Sequence, residues 1–236
     1  MKQSLSRRIL SLITALVLVG LPSLPAGAAA AAAQAAGPYI SDGFGGGLDP
    51  AVWSFVDPLG DTRLLSAPQP GGDVWLSLVL PAGVAHEAWR DGNLAPRILQ
   101  PVADTDLDLE AGFTARLVER YQQVGLVFEG DAEDSLLLGV YSDGERLYAS
   151  ALGYRDGAPA QLLDADIGAA GAAPRLRVGR VGDEWSLSYS WDGAAWSVAG
   201  TVQCPLALAA AGVFAANYGP EPPAFTVTHS TSDPRS

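Results

Sequence analysis

Hydrophobic and polar residues alternate along most of this chain. In Val74-Trp75-Leu76-Ser77-Leu78-Val79-Leu80, Val74, Leu76, Leu78 and Leu80 share one face. In Leu107-Asp108-Leu109-Glu110-Ala111-Gly112-Phe113, the acids take one side and Leu107, Leu109, Ala111 and Phe113 the other. Leu176, Val178 and Arg180 alternate with Arg175, Arg177 and Gly179, and the same pattern runs through Trp185, Leu187, Tyr189 and Trp191. A period of two predicts half-buried strands. Asp91-Gly92, Asp143-Gly144, Asp156-Gly157 and Asp192-Gly193 mark turns, because Asp-Gly pairs tolerate the positive φ of a tight hairpin. Roughly a dozen strands at 8–12-residue spacing, with no helical period, predict an all-β antiparallel sandwich of two sheets, a jelly roll.

The N-terminus breaks the pattern. Lys2, Arg7 and Arg8 precede a largely apolar run from Ile9 to Leu21, and Ala26-Gly27-Ala28 fits an A-x-A cleavage site. This predicts a secretory signal peptide, too short to cross a bilayer as a helix. Residues 1–36 are read as leader and Ala-rich spacer, 37–230 as one sandwich and 231–236 as a tail. No second long apolar run follows, so the expectation is an exported protein with no membrane partner after cleavage.

Composition narrows the function. Among 236 residues there are 26 acids, 14 bases and a net charge of −12. Without residues 1–36 the chain keeps 11 arginines against the same 26 acids, a charge of −15. That excludes the basic footprint of a nucleic-acid binder. One cysteine, Cys204, excludes an internal disulfide and multi-cysteine metal sites, and its expected place is the interior. Two histidines, His86 and His229, form no metal-ligand pair at useful spacing, so no metal site is assigned. No G-x-S-x-G elbow occurs, and the glycines of residues 43–47 lack the spacing of a nucleotide loop.

The stretches Ser41-Asp42-Gly43-Phe44, Leu48-Asp49-Pro50-Ala51-Val52-Trp53, His86-Glu87…Trp89…Asn93…Ala95-Pro96-Arg97, Arg120-Tyr121-Gln122, Tyr141-Ser142-Asp143-Gly144 and Trp185-Ser186-Leu187-Ser188-Tyr189 together resemble concanavalin A-like lectin/glucanase modules. Modules of that type occur in secreted bacterial proteins and beside β-xylosidase-like enzymes. The resemblance spans nearly all of the chain beyond the leader. It implies a jelly roll with a concave sheet whose face or rim binds glycans, and it does not imply catalysis. The expected partner is therefore carbohydrate, such as a cell-wall or plant polysaccharide, with no cofactor; a structural Ca2+ stays open.

His86, Trp89, Asn93 and Arg97 are the leading binding candidates, on a loop running into the Arg97-Ile98-Leu99-Gln100 strand. An aromatic face beside hydrogen-bonding groups suits sugars, whose apolar faces stack while their hydroxyls are read by polar groups. The alternative is that His86 and Arg97 hold the loop and Trp89 caps the core. Tyr121, Gln122, Glu129 and Tyr141 are expected on strands lining the same sheet. Trp185, Trp191 and Trp196 read as core and edge packing.

Asp106 and Glu110 are weak catalytic candidates. Retaining β-glucanases of the same general fold carry E-x-D-x-E on one strand. Four residues of strand span about 13 Å, whereas retention needs carboxyl groups roughly 5–5.5 Å apart. The competing reading is a solvated polar face above a leucine core. Three function classes thus stand: a secreted non-catalytic lectin-like module, a glycoside hydrolase acting on β-glucans or xylans, and a structural or adhesive module.

Overall fold

Three of the Asp-Gly pairs close hairpins between consecutive strands. Gly144 (φ 102°) turns β8 (Ser135–Ser142) into β9 (Arg146–Arg155), and Asp156 and Gly157 (φ 50° and 72°) turn β9 into β10 (Ala158–Ala169). Gly193 (φ 75°) lies between β13 (Glu184–Ser190) and β14 (Ser197–Gln203). The fourth pair behaves differently. Gly92 (φ 89°) sits at the tip of a minimal hairpin closed by one bridge between Ala88 and Asn93, inside the long connection from β3 (Val74–Leu80) to β4 (Arg97–Pro101).

The computed structural model describes residues 37–42, 44, 47–68, 74–90, 92–131 and 133–230. The expected leader and tail, Asp91, most of the 43–47 glycine segment and the side chain of Val74 lie outside the described residues. The described chain has sixteen strands and no helix. Two seven-stranded antiparallel sheets make a sandwich. The first runs β1 (Ser54–Val56), β4, β15 (Ala210–Ala216), β7 (Gln123–Glu129), β8, β9, β10. The second runs β14, β13, β12 (Arg175–Val181), β5 (Leu107–Thr114), β16 (Phe225–Ser230), β3, β2 (Arg63–Pro68). A two-stranded piece pairs β11 (Gly171–Ala172) with β6 (Arg116–Leu117).

Alternation sends one face of each sheet into a common core. Leu76, Leu78 and Leu80 meet Leu109, Ala111, Leu176, Val178, Trp185 and Leu187 from the second sheet, and Leu126, Phe128, Leu136, Leu138 and Val213 from the first. Arg180 lies on this inner side too, as its alternation predicts. Its guanidinium lies over the Trp185 ring at 4.9 Å and donates to the Gly182 and Leu206 carbonyls and to Asp104. A buried cation needs such full pairing. Cys204 is free and buried, and burial pushes its thiol pKa up, which makes it unreactive. Trp185 is core, as expected, whereas Trp191 is exposed and Trp196 packs under the Arg177 guanidinium at 4.1 Å.

The first sheet carries a second apolar layer on its outer face. Leu99, Val127, Leu137, Leu152, Tyr154 and Phe214 point away from the main core. Ala88 and Ala95 of the β3–β4 connection lie over them, so this connection acts as a cover. Its residues Glu87, Ala88, Trp89 and Arg90 border a groove that Gln161 of β10 also lines.

Candidate functional site

Cross-strand register assembles the groove floor from residues far apart in sequence. Ala216, Gln123 and Tyr141 lie abreast on β15, β7 and β8; Ser150 on β9 lies in the next row, and Leu152 faces Gln161 of β10 in the one after. Gln123 Nε2 donates to Ser150 Oγ at 3.4 Å. Glu87, Ala88, Trp89 and Arg90 form one wall, and Tyr121, Asn217 and Tyr218 the other, around about 300 Å³. Three aromatic rings stay exposed here: Trp89 at 36%, Tyr121 at 39% and Tyr218 at 42%. Tyr121 and Tyr218 meet edge to face, with centroids 5.6 Å apart.

Two of the exposed wall aromatics, Trp89 and Tyr121, are held from behind. The Tyr154 hydroxyl donates to the Trp89 carbonyl at 3.3 Å. Burial, and secondarily the Glu87 charge, raises the Tyr154 phenol pKa and keeps it a donor. Tyr121 takes a positive φ of 63°, an uncommon conformation for an aromatic residue. Its N–H donates to the Ser142 carbonyl at 2.6 Å, and the Arg120 guanidinium sits 5.0 Å from its ring centroid. Gln122 supplies the rest of that turn: its side-chain oxygen accepts the N–H groups of Val118 and Glu119, both at 3.0 Å. On the floor, Tyr141 stacks on Tyr148 (5.2 Å, 17°) and donates to Asp164 at 2.9 Å. Burial and the Asp164 charge raise its phenol pKa.

Of the residues expected to bind, Trp89, Tyr121 and Tyr141 line the groove, and five do not. His86 is fully buried, with Nε2 2.7 Å from Asp61 Oδ1. Arg97 makes an ion pair with Glu129 at 2.5 Å and donates to the Ala95 carbonyl at 3.1 Å; the two side chains tie the cover to β7. The Asn93 side-chain oxygen accepts the Ala95 N–H at 3.3 Å within the small hairpin. Gln122 is spent on its turn. Tyr121 and Gln122 also precede β7 rather than lying on a strand. These polar groups satisfy backbone and partner charges that folding removes from water, and so they face inward.

The sequence reading missed Tyr218, Gln123, Ser150 and Gln161. The last three are outward polar positions on alternating strands, a signal present but not selective. Asp106 and Glu110 lie outside the groove. Glu110 is on the outer face of the second sheet, clamped by Arg175 Nη2 (3.0 Å) and Arg177 Nη2 (2.9 Å). Asp106 accepts the Gly182 N–H at 2.8 Å. Both carboxylate oxygens of Glu110 are thus engaged by arginines on the sheet that does not carry the groove. Among the described residues no group of three or more acidic, histidine or cysteine side chains could hold a metal ion.

No family model matches the chain, and no curated protein does. Solved structures share its fold. A functionally unknown protein from Saccharomyces cerevisiae superposes with a TM-score of 0.60 at 15% identity, over 78% of this chain and 95% of that one. The GH43 protein BlXynB from Bacillus licheniformis gives 0.51 at 15% identity, over 78% of this chain but only 39% of the other. The carbohydrate-binding module CBM66 from Bacillus subtilis gives 0.49 at 12% identity, over 76% and 92%. At these identities the likeness shows the fold alone: an all-β sandwich.

Proposed function

We propose that this chain is an exported, non-catalytic, lectin-like module of the concanavalin A type that binds glycan in the groove on the first sheet. One observation carries the reading: Trp89, Tyr121 and Tyr218 present exposed rings around a floor of amide and hydroxyl groups from Gln123, Tyr141, Ser150 and Gln161. Rings supply stacking surface for the apolar face of a pyranose, and the floor supplies donors and acceptors for its hydroxyls. The roles first assigned to His86, Asn93 and Arg97 pass to these groups. The neighbours' names agree with a carbohydrate setting but add no residue to the argument.

Calorimetry against arabinoxylan, mixed-linkage β-glucan and bacterial cell-wall polysaccharide, comparing wild type with Trp89→Ala and Tyr218→Ala, tests it. Expected is binding of at least one polymer that either substitution weakens by tenfold or more, about 1.4 kcal/mol. Binding that ignores both substitutions sinks the site. Absence of binding to every polymer sinks the function. Recovery from the culture medium with a new N-terminus near Ala28 tests export.

A further inference from the structure

What the groove's polar groups have left to offer a ligand is set by the bonds they already make inside the protein. Tyr141 on β8 spends its one proton on Asp164 Oδ1 of β10, at 2.9 Å, across the intervening β9. The Tyr141 oxygen therefore meets a ligand with lone pairs alone. Gln161 donates from Nε2 to the Leu163 carbonyl at 3.0 Å. A carbonyl only accepts, so this amide is fixed with Oε1 left over as an acceptor, beside one remaining N–H. Asn217 is committed inward: Oδ1 accepts the His86 N–H at 2.9 Å, and Nδ2 donates to the Pro223 carbonyl at 3.5 Å. Gln123 and Ser150 bond to each other at 3.4 Å and keep both donors and acceptors.

Charge points the same way. Glu87 brings a carboxylate, an acceptor only, to the wall, and Asp164 stands behind Tyr141. The one cation among the described residues that line the groove is Arg90, which is exposed. Arg120 lies outside the lining, 5.0 Å from the Tyr121 ring centroid. A sugar hydroxyl can donate to the groove oxygens. A glycan carboxylate or sulfate can only accept, and it would set its lone pairs against theirs with no proton between them. We propose that the groove reads hydroxyl protons, and so selects a neutral glycan with free hydroxyls over a uronate-bearing or sulfated one. Asp164 is the positioning residue, because it orients the Tyr141 hydroxyl from outside the groove. This rests on the glycan reading above.

Calorimetry compares arabinoxylan and mixed-linkage β-glucan with polygalacturonate and dextran sulfate. It is run at about 20 mM and about 500 mM NaCl, because screening at the higher salt removes long-range repulsion from the acidic chain and leaves the groove's own preference. Expected is binding of at least one neutral polymer and of neither charged one at either salt. Binding of polygalacturonate or dextran sulfate that Trp89→Ala abolishes keeps the groove and overturns its polarity. Absence of binding to all four removes the glycan reading, and this inference with it.

A double-mutant cycle reads the orientation itself. Asp164 is exposed and Tyr141→Phe keeps the ring stacked on Tyr148, so both variants are expected to fold. Tyr141→Phe deletes the acceptor, and Asp164→Ala lets the Tyr141 hydroxyl turn away from its fixed direction. Each is expected to weaken the neutral polymer about two- to tenfold, the worth of one hydrogen bond. The double variant should bind no more weakly than Tyr141→Phe alone, because Asp164 acts only through that hydroxyl. Unchanged affinity in Asp164→Ala, or losses that add in the double variant, overturns the proposal.

Discussion

The Tyr154 hydroxyl, on β9, reaches up to the carbonyl oxygen of Trp89, so the sheet floor holds the exposed tryptophan's backbone directly. Tyr154 is itself buried among Leu137, Leu152 and Phe214, which leaves its ring no other place to go. Tyr154→Phe keeps the ring and deletes one hydrogen bond. A loss of about 1 kcal/mol is expected, seen in calorimetry as a fall in Tm of about 2–4 °C for a domain this size. Glycan affinity should fall less than in Trp89→Ala, because the indole remains. An unchanged Tm with unchanged affinity would remove Tyr154 from the account of the wall.

Gly125 in β7 is required for space. A Cβ there would sit 2.5 Å from the Leu138 carbonyl oxygen, 2.6 Å from Gly139 Cα and 2.8 Å from Phe214 Cε1. Two of these are backbone of the neighbouring strand and cannot rotate away. The third is a fully buried ring in the outer apolar layer that supports the cover. Gly125→Ala should cost about 1–3 kcal/mol, the range for overpacking, and should loosen the cover enough to weaken glycan binding. Urea unfolding and calorimetry measure both. Full stability in the variant would mean that β7 and β8 can separate without penalty.

The sandwich was legible from alternation because burial on one face is a local property of each strand. Leu76, Leu78, Leu80, Leu109 and Ala111 all fall inside where the period of two puts them, and so does Arg180, a charge that hydropathy alone would expel. The groove was legible only in part. Which polar residues reach solvent depends on partners that the sequence does not bring near. His86 is spent on Asp61, 25 residues before it, and on Asn217, 131 residues after it. Conversely, Ser150, Gln161 and Tyr218 become neighbours only through the strand order β15-β7-β8-β9-β10. Trp89 was legible as an aromatic face beside hydrogen-bonding residues in a glycine- and proline-punctuated loop, the combination that suits a sugar.

Glu110 now belongs to stability. Its carboxylate is nearly buried between Arg175 and Arg177, whose side chains are each about one-third exposed, and Arg177 also stacks on Trp196. Glu110→Gln keeps the shape but leaves two cations facing each other without their shared anion. A loss of about 1–2 kcal/mol is expected, below the cost of breaking a deeply buried pair because both arginines reach water. The difference from wild type should shrink at high salt, when screening relieves the repulsion between the cations. Glycan binding should not change, since the groove lies on the other sheet. Urea unfolding at two ionic strengths checks the first part, and an effect on binding equal to that of Trp89→Ala would contradict the placement of the site.

His229 sets a pH limit on the fold. The ring is buried beside Phe44 and Phe113, and Nδ1 donates to the Gly112 carbonyl at 3.2 Å. Burial disfavours the charged form and lowers the pKa from 6.5 to about 4. The unfolded chain therefore takes up a proton that the folded chain refuses. The stability this protects is fully present above pH 6.5, is lost as pH falls from 6.5 to about 4, and stays lost below that. A shift of this size corresponds to roughly 3 kcal/mol. Acid also destabilises through carboxylates such as Asp104, whose pKa the Arg180 hydrogen bond lowers, so the test is a comparison with a variant. His229→Gln cannot titrate yet can still donate to Gly112. Urea unfolding between pH 7 and 4 should show a shallower loss of stability in His229→Gln than in wild type. Parallel curves would mean that His229 is already protonated in the folded protein, or that water reaches it.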